Sequence, residues 1–108
     1  MAILHWKLQR ISAIILIPSI LYIVFYFLNI TDFTYSKIVS DVTSIWGTIF
    51  IVFVSTILFL HSSLGIETIM EDYIHDDVMQ SFFIGLSKVI HVILFAITLV
   101  SLIIIRGT

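Results

Sequence analysis

The chain has 108 residues, of which 60% are apolar and only 11% charged, with a formal net charge of −2. A soluble domain is about 45–50% apolar and about 25% charged, so this chain could not clothe a globular surface and reads as an integral membrane protein. The absence of cysteine excludes thiolate zinc, iron–sulfur ligation and disulfides, and the acidic balance without a basic cluster excludes nucleic acid.

At a mean hydropathy of +1.20 there is room for three spans and little else, so the expected fold is all-α, one membrane domain over residues 1–108. Soluble catalytic machinery would then belong to another subunit. An electron-carrying role would use haem held by histidine, or a diffusible quinone.

Met1 to Arg10 is a short polar-basic lead, with Trp6 beside Lys7 and Arg10 as an interfacial anchor. The first span runs from Ile11 to Leu28 without a charge. It is too long for a signal-peptide core, and no small-residue cleavage site comes after it. Pro18 lies inside it, Ser12, Ala13 and Ser19 give it a small-residue side, and Tyr22, Phe25, Tyr26 and Phe27 crowd its far end.

Asn29 to Ser44 reads as a polar loop, with Asp41 or Thr43 available to cap the next helix. The second span covers about 45–66, with Thr48, Ser55 and Ser62 recurring every seven residues as a seam for a neighbouring helix. An acidic loop then carries Glu67, Glu71, Asp72, Asp76 and Asp77. The third span covers about 81–105, with Lys88 and His91 in its first half, Lys88 long enough to snorkel to the interface. Lys7, Arg10 and Lys88 against Lys37 and Arg106 place the N-terminus and the 67–80 loop inside and the C-terminus outside.

The stretch with the most chemistry is Leu60 to Tyr73. At about 100° per residue His61, Gly65, Thr68 and Asp72 share one helix face, with Asp72 roughly 16 Å below the imidazole. An ionisable residue in a span is a functional candidate, and neutral imidazole is a common axial haem ligand; the plainer role for His61 is a hydrogen bond to another helix. His91 is deeper and flanked by Lys88, which favours a structural role or a second ligand from a partner over a bis-histidine pair within this chain. Tyr73 could donate to a quinone carbonyl with Asp72 orienting it or relaying a proton, although both types are also ordinary at a membrane edge. Arg10 could pair with a haem propionate, or simply mark the inner side. Gly65, one turn below His61, would let another helix or something flat come close.

His61-x-x-x-Gly65-x6-Asp72-Tyr73, together with His5-Trp6, Gln9-Arg10-Ile11-Ser12-Ala13 and Pro18, resembles the smaller, D-type hydrophobic anchor of succinate dehydrogenase (complex II) over nearly the whole chain. The resemblance implies a membrane anchor that forms half of a heterodimer with a second three-helix anchor and holds the iron–sulfur and flavoprotein subunits at the inner face. On this resemblance His61 matches the axial ligand of a shared haem b, and Tyr73 with Asp72 the ubiquinone site. Arg10 matches a basic position near the haem propionates and the quinone pocket. The chain departs from the pattern in its short lead, in Lys7 where a second tryptophan is common, and in the acidity of 67–77. The resemblance implies a respiratory inner membrane, bacterial or mitochondrial, with succinate oxidation elsewhere in the complex. A quinol:fumarate reductase anchor shares the same architecture, and a cofactor-free scaffold or pore protein would need no imidazole at 61.

Overall fold

The computed structural model describes residues 2–107, which form four helices and, among the described residues, no strand: α1 (Ala2–Asn29), α2 (Tyr35–Thr43), α3 (Ile45–Tyr73) and α4 (Asp77–Gly107). Helices α1, α3 and α4 are long and apolar enough to be the three expected spans. They are longer than their apolar cores, at 28, 29 and 31 residues, or about 42–46 Å against roughly 30 Å of hydrocarbon. Backbone groups entering the headgroup region are cheapest to keep satisfied within the helix, so each helix runs on beyond the point where charges begin.

Two expectations are corrected on that account. From residue 2 onward, the polar-basic lead is the first part of α1 rather than a separate segment. Glu67, Glu71 and Asp72 lie on the last turns of α3, and the acidic loop shrinks to residues 74–76. That turn is closed locally: the Asp76 carboxylate accepts from the Met79 N–H at 3.1 Å, capping α4, while Gln80 Nε2 donates to the Ile74 carbonyl at 2.8 Å. A third correction concerns the Asn29–Ser44 connection, which contains α2, its N-cap Thr34 accepting from the Lys37 N–H.

The cap of α3 is neither Asp41 nor Thr43 but Ser44. Its hydroxyl accepts from the Gly47 N–H at 3.0 Å and donates to the Asp41 carbonyl at 2.8 Å. This fold-back brings α2 so close that a Cβ on Gly47 would lie 2.0 Å from the Asp41 carbonyl oxygen. Only glycine fits there.

Helix α3 is the middle of the unit: α1 and α4 each pack on it and not on one another, while α2 lies against α3 and α4. The result is flat, 51 × 27 × 20 Å. Its core is small, with Leu16, Val54 and Leu102 as the buried apolar side chains and Ser12, Ser19 and Ser87 as the buried polar ones. Three of those six are serines, as expected where lipid tails remove the hydrophobic drive and close approach plus hydrogen bonds must hold helices together.

Candidate functional site

Helices α1 and α3 meet through two matched polar stripes. His5, Gln9 and Ser12 (i, i+4, i+7) share one face of α1, facing Leu64, Thr68 and His61 across an antiparallel contact. Gln9 Nε2 donates to Thr68 Oγ1 at 2.7 Å and to the Leu64 carbonyl at 3.0 Å, and His5 Nε2 lies 3.3 Å from the same carbonyl. One turn further along α1, Ser12 Oγ lies 2.9 Å from His61 Nδ1 and 3.0 Å from the Gln9 carbonyl.

Those two Ser12 contacts fix the imidazole's proton. A serine hydroxyl has one hydrogen, and a carbonyl can only accept. Both contacts are satisfied together only when Ser12 donates to Gln9 and accepts from an N–H on His61 Nδ1. In the neutral ring the lone pair is then on Nε2. No hydrogen bond engages Nε2 among the described residues, and no buried side-chain nitrogen or oxygen lacks a partner. Among the described residues, Nε2 is therefore not sealed off, and the ring is half-buried.

His91 has the opposite arrangement. Its Nδ1 lies 2.7 Å from the Ser87 carbonyl, which requires an N–H there, so Nε2 accepts from Ser62 Oγ at 2.9 Å. Both nitrogens are occupied, Nε2 in holding α4 to α3 and Nδ1 within α4, and an edge-on contact with Phe59 supports the pairing. The expected seam on α3 thus faces α4, with Arg106 donating to Thr48 Oγ1 at 2.7 Å at its other end. Lys88, expected to snorkel, ends 3.6 Å from Glu67 Oε1.

Tyr73 is 80% exposed and Asp72 is exposed beside it, at the last turn of α3. At 1.5 Å per residue Tyr73 is about 18 Å along the axis from His61. Arg10 is exposed too, its guanidinium 5.4 Å from the centre of the Trp6 ring. Gly65 does not mediate a close approach inside the chain, because nothing lies within 4 Å of where its Cβ would be. Arg10, Asp72 and Tyr73 are thus exposed, while His61 is half-buried where it meets Ser12. Near them His5, Glu67 and Glu71 bring one nitrogen and two carboxylate oxygens within 4.8 Å of each other.

The larger cleft, about 460 Å³, lies at the opposite end between α1, α2 and α3, lined by Tyr22, Tyr26, Lys37, Asp41, Trp46 and Phe50 among others. There Tyr26 donates to the Asp41 carboxylate, which also takes the Lys37 ammonium at 2.8 Å. Lys37 first, then the Tyr26 hydroxyl, hold the Asp41 carboxyl below its ordinary range.

Ser12, Gln9 and Thr68 are the site residues that sequence reasoning left without a role. The signal was present: Gln9 and Ser12 follow His5 at the same spacing as Gly65 and Thr68 follow His61.

The family model described as succinate dehydrogenase/fumarate reductase transmembrane subunit matches residues 1–105. A protein of Reclinomonas americana named succinate dehydrogenase membrane anchor subunit is 37% identical over 91 residues, covering 81% of this chain and 75% of that one. With its three long apolar helices, that match and that identity, the chain belongs to the succinate dehydrogenase/fumarate reductase transmembrane subunit family.

Proposed function

We propose that the chain is the membrane anchor of a succinate:ubiquinone oxidoreductase, sharing a haem b with a second three-helix anchor and forming part of the ubiquinone-reduction site. The observation that carries this reading is His61: its Nδ1 contact is taken up by Ser12, leaving the Nε2 lone pair without a hydrogen-bond partner among the described residues. Ligating histidines almost always donate their other ring N–H in this way. A scaffold helix would have no use for an unpaired imidazole nitrogen at that depth.

A haem bound there would supply one-electron chemistry between the iron–sulfur subunit and the quinone. The chain's own residues do the rest. Arg10 pairs with a propionate at the edge. The exposed Tyr73 hydroxyl donates to a quinone carbonyl, and Asp72 orients it or passes on a proton. Their outward placement suits a pocket completed by the second anchor and the iron–sulfur subunit, with the flavoprotein beyond. On this reading the N-terminus and the 74–76 turn lie on the inner side of a respiratory membrane.

The test is a reduced-minus-oxidised spectrum of the complex purified with this chain, wild type beside His61→Leu. A b-type band lost or altered in the variant is the expected result. A band indifferent to the substitution would remove His61 as a ligand.

A further inference from the structure

We propose that Ser12 is a positioning residue for the axial ligand, locking His61 in its Nδ1–H form and setting how strongly Nε2 donates. This inference rests on the haem reading above. Ser12 is the most enclosed side chain described, 2% exposed, and sits where α1 crosses α3. Its hydroxyl makes two contacts at 2.9 and 3.0 Å, one to each helix. A buried serine in a span ordinarily returns its proton to its own helix and stops there, as Ser19 does with the Ile15 carbonyl. Ser12 also accepts from the imidazole.

That chain of bonds has two effects. The hydroxyl is polarised by donating to the Gln9 carbonyl, which makes its oxygen a better acceptor for the imidazole N–H. An N–H so engaged raises the basicity of the opposite nitrogen, and a more basic ligand favours the ferric over the ferrous state. The contact also stops the ring from turning about its χ2 torsion, so Nε2 keeps one direction. Gln9, tied to Thr68 at 2.7 Å, keeps the first helix in the register that this requires.

The experiment compares Ser12→Ala, Ser12→Thr and His61→Leu in the complex. Its readouts are the membrane level of the chain, the midpoint potential and the electron paramagnetic resonance line of the ferric form. Ser12→Ala removes one oxygen and adds no atom, so the chain is expected at its normal level. Its potential is expected to move upward and its resonance line to shift, and haem is expected to be held roughly tenfold more weakly. A tenfold change in the ferric-to-ferrous balance would read as about 59 mV. Ser12→Thr, which keeps the hydroxyl, is expected to return potential and line toward wild type.

An altered spectrum in His61→Leu with an unmoved potential and line in Ser12→Ala would overturn the role of Ser12 and leave the haem reading intact. Loss of the Ser12→Ala chain from the membrane, with an unmoved potential in what remains, would also overturn it, making Ser12 a packing residue. An unaltered spectrum in His61→Leu would bring down the haem reading, and this inference with it.

Discussion

Replacing His91 by leucine separates a structural histidine from a ligand. The side chain makes one bond between helices, from Ser62 Oγ to Nε2 at 2.9 Å, and one within α4, from Nδ1 to the Ser87 carbonyl at 2.7 Å. Hydrogen bonds between membrane helices average about 0.6 kcal/mol and reach about 1.7. The bond within α4 adds little, since the Ser87 carbonyl keeps its helical partner. The Ser62 hydroxyl, once released, can turn back to the carbonyl one turn before it. Leucine refills most of the volume beside Phe59. The cost should therefore be about 1 kcal/mol, roughly a fivefold change in an equilibrium. A double-mutant cycle with Ser62→Ala, read from the detergent fraction at which the anchors leave the complex, isolates the pair. The expected coupling is about 0.6–1.7 kcal/mol, with the b-type spectrum of the proposed haem unchanged. A coupling near zero would refute the bond, and a lost band would refute the assignment of both His91 nitrogens to packing.

Other consequences are as direct. On the proposed quinone role, Tyr73→Phe removes one donor and should lower quinone reduction roughly tenfold, leaving succinate oxidation by an artificial acceptor at wild-type rate; loss of both would contradict it. Gly47→Ala drives a methyl onto the Asp41 carbonyl, so α2 must move off α3. The expected outcome is faster proteolysis of the 30–44 segment, by about 1–3 kcal/mol of overpacking. The Asp41 carboxyl is lowered from 3.8, chiefly by Lys37 and then Tyr26. Its contribution to the α1–α2 contact should be complete above pH 3.8 and fade only as the pH falls through the lower folded value. Trp46, which lines the same cleft, can report this by fluorescence, and Asp41→Asn should abolish the transition. A transition beginning above pH 3.8 would contradict the sign.

The three spans were plain in the sequence because about eighteen uncharged residues in a row have no other physical home. Their ends were not. Charges at Glu67 and Asp77 look like loop when judged by hydropathy, yet a helix entering the headgroup region can carry them on its surface. The amphipathic α2 was hidden for a different reason: nine residues rich in Ser, Thr and Asp carry the composition of a turn, and its helicity depends on the Thr34 cap and on packing against α3. His61 and Tyr73 were legible as candidates from residue type and spacing. Ser12 was legible only as a small residue. Its pairing with His61 depends on the rotation of α1 about its own axis, which periodicity restricts to a face but cannot match to a face elsewhere. The same gap left Gly65 with an expected neighbour that the chain does not provide.

The polar contacts flanking α3 have a consequence for assembly. On one side stand Gln9 with Thr68 and Ser12 with His61, on the other Ser62 with His91 and Thr48 with Arg106. Each would be mismatched by a rotation of one residue or a slide of one turn, so together they act as a key that admits a single alignment of the three helices. None of them needs a second protein. A newly inserted chain can therefore settle its own alignment in the bilayer before any partner docks.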